Sequence, residues 1–241
     1  FSPWRDPVSG VTSFLLRPRI APLQQSFYFT NDSFSRDARY YWFYCAFPPG
    51  GDAYYGRQLG VVDFAERRLH HFPETQFMDA SPFVDPDTGE VYWSTGLEIW
   101  KRSPDPSASA ERVGVFPDEF ARARRPLRIA THLSRSADQA SFAIDAQLGN
   151  EWFVGDLPLD GSGFRLWQQF DRCYNHVQFS PTDPDLLLIA QDGWIDASTG
   201  EKGGIEDRLW LLRRGETAKP IFPGSPSARR GHEWWDPDGI H

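Results

Sequence analysis

Cysteine is scarce in this chain: Cys45 and Cys173 are the only two among 241 residues. A disulfide framework is therefore not the source of stability, and both thiols read as buried and free. No apolar run approaches the length that spans a bilayer, so a membrane partner is not expected. Basic charge is also lacking. Lys and Arg total 25 against 33 Asp and Glu, a net of −8, and nothing builds a basic stripe. That excludes nucleic acid as the natural partner, while an acidic polymer remains admissible where local Arg or a metal cancels charge. Helical signal is nearly absent, and one helix is predicted over Pro117–Arg125. The front, Phe1-Ser2-Pro3-Trp4, carries neither a signal peptide nor an initiator Met, so a processed or trimmed N-terminus is expected.

What is present is aromatic and rich in turn formers. Aromatics make up 15% of the chain with ten Trp, and Gly and Pro number twenty each. Such a mix forms many short strands joined by turns. Residues 175–190 set the pattern: Asn175–Phe179 enters a core, Ser180-Pro181-Thr182-Asp183-Pro184 turns, and Leu186–Ala190 is an unbroken buried strand. The pattern recurs when the apolar residue before each turn is aligned, at Phe34, Phe83, Leu133, Phe179 and Trp235. A period near fifty residues predicts an all-β fold, a β-propeller of four-stranded blades. About five blades are visible in one domain spanning residues 1–241, and the last is unfinished, so further blades are expected in the native protein. The first blade is expected to take in Ser13–Arg17, Ser26–Phe29, Trp42–Cys45 and Leu59–Phe64. Inner strands are expected at Phe27–Phe29, Met78–Phe83, Ile129–Leu133, Asn175–Phe179 and His232–Trp235. Asp196–Gly204 reads as a polar insertion, and His70 and His71 as surface residues of an outer connection.

Three of the six histidines fall on incoming strands. His176 and His232 lie three residues before the aligned apolar position, and His132 lies one before it. Inner strands of successive blades converge on one axis, so these imidazoles are candidate site residues. Gln178, two residues from His176, is expected on the same face. Imidazoles beside an amide oxygen suit a borderline divalent cation such as Mn²⁺. Glu233, next to His232, reads as a carboxylate supporting such a site. Arg208, at the entrance to an apolar strand, is placed to reach the channel.

Three motifs in order, Asn175–Pro184, Asp207-Arg208-Leu209-Trp210 and Gly231–Gly239, resemble the oligogalacturonate lyase family. The resemblance implies a seven-bladed propeller that cleaves short uronate oligomers by Mn²⁺-dependent β-elimination. It implies a cytoplasmic location and His176 as catalytic base, with Arg208 in the counterpart of a family motif, while His132, by its place on an incoming strand, is a further catalytic candidate. It implies His232 as metal ligand, and Gln178 joins it as a candidate through its amide oxygen. Arg172, Gln191 and Glu233 are assigned to the acidic oligosaccharide substrate. Two departures stand out. Gln191-Asp192-Gly193 replaces the family's His-Glu-Gly, and the Gln-x-x-His-Pro-His segment with the other metal ligands does not occur in the sequence.

β-Elimination removes the proton on C5, α to the uronate carboxylate, and expels the oxygen on C4. The charge that develops on the carboxylate must be neutralised by a cation, and a neutral imidazole suits the proton transfer. Two other readings fit the same sequence: a propeller lyase for a different uronate glycan, and a non-catalytic propeller that serves as a binding platform.

Overall fold

The computed structural model describes residues 1–52, 54–77, 82–224 and 230–239. The fold is an all-β propeller, built among the described residues from four antiparallel blades, three of four strands and one of five. A hairpin of β1 (Ser2–Arg5) and β2 (Thr12–Leu15) precedes them. The first blade comprises β3 (Leu23–Gln25), β4 (Tyr40–Ala46), β5 (Arg57–Asp63) and β6 (Arg68–Phe77). The second comprises β7 (Phe83–Val84), β8 (Val91–Thr95), β9 (Glu98–Arg102) and β10 (Glu111–Val115). A single helical turn, α1 (Asp118–Ala121), leads to the third. There β11 (Arg128–Ile129) and β12 (Ser134–Arg135) both pair with β13 (Ser141–Leu148), followed by β14 (Glu151–Pro158) and β15 (Arg165–Phe170). The fourth starts with β16 (Tyr174–Phe179) and β17 (Leu186–Gln191). The small hairpin β18 (Trp194–Ile195) and β19 (Lys202–Gly203) interrupts it before β20 (Leu209–Arg213) and β21 (Lys219–Pro220).

Successive blades bury apolar faces against one another, and the outer face of the first packs against residues 16–21. On β4 the alternation of a strand sends Trp42 and Tyr44 one way and Phe43 and Cys45 the other. Trp42 and Tyr44 meet Val84, Val91 and Trp93 of the second blade. Tyr92 and Ile99 meet Leu133, Phe142 and Phe153 of the third. Ala143 and Val154 meet Val177, Leu187 and Ile189 of the fourth. Polar ties follow the same sequence: Trp42 Nε1 donates to Gly89 O at 2.9 Å, Ser94 Oγ to Ile129 O at 2.7 Å, and Phe179 N to Ser134 Oγ at 2.9 Å.

The repeat is marked by a buried polar residue that closes the first turn of each blade. The backbone N–H groups of Ser35, Asp85, Ser136 and Ser180 donate to the carbonyls of Tyr40, Glu90, Ser141 and Leu186. All four residues are buried. Asp236 opens the same kind of turn, with Gly239 N donating to its carbonyl. The equivalent preceding residues are therefore Phe34, Val84, Arg135, Phe179 and Trp235. The apolar alignment was displaced by one position in the second blade and two in the third, because the turn residue carries the register.

Several expectations are corrected. Four blades form among the described residues instead of five, and His232–Trp235 carries no strand. Ser13–Arg17 does not join the first blade, since residues 13–15 pair with β1. The first blade's inner strand is Leu23–Gln25, and Phe27–Phe29 follows it without ladder pairing. The expected helix stops at Ala121, where Arg122 turns to φ 54°. His70 and His71 are half-buried on β6, with His71 Nε2 2.6 Å from Gln58 Oε1. Of the inner segments, Met78–Ser81 lies outside the described residues.

Candidate active site

In the register set by the buried turn residues, His132, His176 and His232 stand at one repeat position, four residues before Ser136, Ser180 and Asp236. The blade geometry brings them together around Tyr28. The Tyr28 ring stacks on His132 at 4.8 Å and lies 6.5 Å from His176 and 6.3 Å from His232. His132 and His176 meet edge to face at 4.7 Å.

His176 owes its placement to an irregularity in its strand. The register of β16 against β17 shifts between Asn175 and Gln178, and His176 adopts φ 53°. A non-glycine residue there costs free energy that the surrounding packing must supply, a condition that concentrates at working sites. The bulge also breaks the expected alternation. Gln178 does not share the environment of His176: it is buried, and its Nε2 donates to Glu233 O at 2.9 Å.

Glu233 is the hub. Its Oε1 lies 3.0 Å from His176 Nδ1 and accepts from Arg208 at 3.2 Å. Burial pushes its carboxyl up, but the hydrogen bond with His176 and the Arg208 charge outweigh that and hold it below the usual carboxylate range. Arg208 also donates to Gln191 O at 3.0 Å and pairs with Asp192 at 3.1 Å. With Nδ1–H directed at Glu233, the imidazole lone pair sits on Nε2.

His132 is 4% exposed, and both its ring nitrogens are buried without hydrogen-bond partners. Burial, reinforced by His176, pushes its imidazole down to about 3. It is a neutral wall for His176 and not an acid at neutral pH. Its segment is latched by the fully buried Asp145, which accepts from Thr131 N and Thr131 Oγ1. Burial raises the Asp145 carboxyl.

His176 and His132 open onto a cleft of about 360 Å³ that Tyr28, Arg57, Arg128 and Asp192 also line. Tyr28, Arg57 and Arg128 were not singled out from the sequence. They come from loops and strand ends of other blades, and no spacing marks them. Tyr28 stays protonated near neutrality, because burial and then the Glu233 charge raise its phenol.

Two expected substrate contacts lie elsewhere. Gln191 is fully buried, its amide donating to Tyr174 Oη and accepting from Glu206 N, so it serves the fold and holds Arg208. Arg172 pairs with Glu206 and Asp171 at the surface and does not line the cleft. Glu233, expected at the substrate, is instead spent on His176 and Arg208. A divalent ion such as Mn²⁺ is not accommodated by these side chains alone. Among the described residues no three His, Cys, Asp or Glu side chains converge as ligands. His232 is exposed beside Phe29, and Gln178 is engaged with the Glu233 backbone.

By sequence, no family model and no curated protein match the chain. By structure, it is similar to an oligogalacturonate lyase from Vibrio parahaemolyticus, with TM-score 0.73 and 14% identity over 99% of this chain and 63% of that one. An oligogalacturonate lyase in complex with manganese gives TM-score 0.71 and 15% identity over 99% of this chain and 64% of that one. The chain thus spans less than two-thirds of the length of either. It has the β-propeller fold of the oligogalacturonate lyases.

Proposed function

We propose that the protein is a lyase that cleaves short uronic-acid oligosaccharides by β-elimination, with His176 as the general base. The observation that carries this reading is the Glu233–His176 pair at the cleft, a carboxylate that fixes one ring nitrogen and leaves the other basic. The fold shared with lyases that act on oligogalacturonate supports it.

In this reading the uronate sits with its C5–H bond directed at Nε2 of His176. The C5–H bond breaks as Nε2 takes the proton, the electron pair forms the C4=C5 double bond, and the C4–O bond breaks. Water in the cleft protonates the departing oxygen. Glu233 stabilises the imidazolium that forms, and Arg208 keeps Glu233 ionised and in place. Arg128 faces the carboxylate of the reacting sugar, where negative charge grows as the proton leaves. The described residues do not make a metal site, so no step is routed through one.

The product carries a double bond conjugated to a carboxylate, which absorbs in the ultraviolet. Incubation with a panel of uronate disaccharides should generate that absorbance together with a free reducing sugar. A protein that binds the panel but never produces it is a binding platform and not a lyase.

A further inference from the structure

Arg57 is the first residue of β5 and is 8% exposed. Its guanidinium lies 4.3 Å from the Tyr44 ring and 5.9 Å from Tyr54. Its Nε is buried with no hydrogen-bond partner, and among the described residues no carboxylate forms an ion pair with it. Asp52 feels its charge, but the Asp52 carboxylate is held by the backbone N–H groups of Tyr54 and Tyr55. A buried cation without a counter-ion is costly unless an anion completes it. Arg208, by contrast, has Glu233 and Asp192 as partners.

Arg57 lines the same cleft as His176 and Arg128, on the side formed by the first blade. Tyr54, 62% exposed, stands beside it on the preceding loop. An exposed aromatic face next to an unpaired guanidinium is a chemically coherent receptor for a sugar acid. The ring stacks on the pyranose while the planar fork takes the carboxylate through two parallel hydrogen bonds.

We infer that Arg57 and Tyr54 form a second uronate subsite, which holds the carboxylate of the sugar next to the one whose proton His176 removes. This rests on the lyase reading for the identity of the neighbouring sugar. The subsite makes the protein select chains in which two adjacent sugars are acidic, and Arg57 is a specificity residue.

The test is calorimetric titration with digalacturonate and with its methyl ester, repeated on Arg57→Gln, Arg57→Lys and Tyr54→Ala, with thermal melts as the folding control. Wild type should prefer the free acid to the ester. Loss of one charge-assisted carboxylate contact should weaken binding of the free acid about 10- to 100-fold in Arg57→Gln and leave the ester unaffected. Tyr54→Ala should weaken both. In turnover, KM should rise by the same factor in Arg57→Gln while kcat changes far less. Wild-type affinity in Arg57→Gln, or equal affinity of wild type for acid and ester, overturns the subsite. If Arg57→Gln does not fold, Arg57→Lys and the surface variant Tyr54→Ala decide, and unchanged affinity in both overturns it. Turnover with unaltered KM in Arg57→Gln removes the subsite and leaves the lyase reading. Arg57-dependent binding without any unsaturated product removes the lyase reading and leaves the subsite.

Discussion

Glu233 Oε1 lies 3.0 Å from Nδ1 of His176, although the two residues come from successive repeats of the propeller. In the proposed reaction the carboxylate would fix the tautomer and stabilise the imidazolium that proton abstraction creates. Glu233→Gln keeps the size of the side chain and removes the charge. Turnover should fall by between about 10²- and 10⁴-fold, the range seen for general bases and their orienting carboxylates. Substrate affinity should stay within a few-fold of wild type. Initial rates and KM on a uronate disaccharide check this, with a melt to show that Arg208 and Asp192 still hold the segment.

His176→Ala removes the proposed base itself. The loss in kcat should be at least about 10²-fold. Binding should survive, because in the proposed reading the substrate carboxylates are taken up by arginines and not by the imidazole. Near-normal formation of the unsaturated product in this variant would assign the proton transfer to another group.

His132 makes a prediction about acid stability. The unfolded chain protonates this imidazole near 6.5, whereas burial holds it down to about 3 in the folded protein. The unfolded state therefore binds the extra proton between those values. Stability is fully present above about pH 6.5 and is lost as the pH falls toward 3, by a few kcal/mol in all. His132→Phe, which keeps a ring for Tyr28 to stack on, should flatten that part of the curve. Chemical denaturation at a series of pH values measures it, and an unchanged acid limb would show that other groups set the slope.

Gly155 tests the blade geometry. A Cβ built there would come 2.1 Å from the carbonyl oxygen of Arg165, across the register shift between β14 and β15. Backbone cannot yield as a side-chain tip does. Gly155→Ala should cost about 2 kcal/mol, or roughly 4–8 °C in Tm for a chain of this size. A melt within a degree of wild type would show that the two strands separate without penalty.

The propeller was legible in the sequence because each blade repeats the same turn chemistry, and the turns at Ser35, Asp85, Ser136 and Ser180 follow from that chemistry alone. The register was less legible. Phe83 and Leu133 are apolar and conspicuous, but position in the blade is held by the hydrogen-bonded residue that follows the first strand. With that residue as reference, His132 joins His176 and His232 at one offset, a coincidence the apolar alignment hid. Glu233 was noticed as the neighbour of His232, yet its partner is His176, since a bulge at residues 176–177 turns that strand. Arg57, Arg128 and Tyr28 were invisible because their roles depend on three blades closing around one cleft. Nothing local to those residues signals it.

Glu233 reaches His176 on a segment that belongs to no strand. Besides the carboxylate's own contacts with His176 and Arg208, two hydrogen bonds clasp it to the fourth blade: Gln178 Nε2 donates to Glu233 O, and Trp235 Nε1 donates to Gln178 O at 3.3 Å. The blades themselves are held by continuous ladders and shared cores, so the clasp is the weaker structure. Local opening of such a segment takes far less free energy than global unfolding. Warming or mild denaturant should thus silence turnover while circular dichroism still reports intact blades. The molecule should then show two melting points, one for its architecture and a lower one for its chemistry.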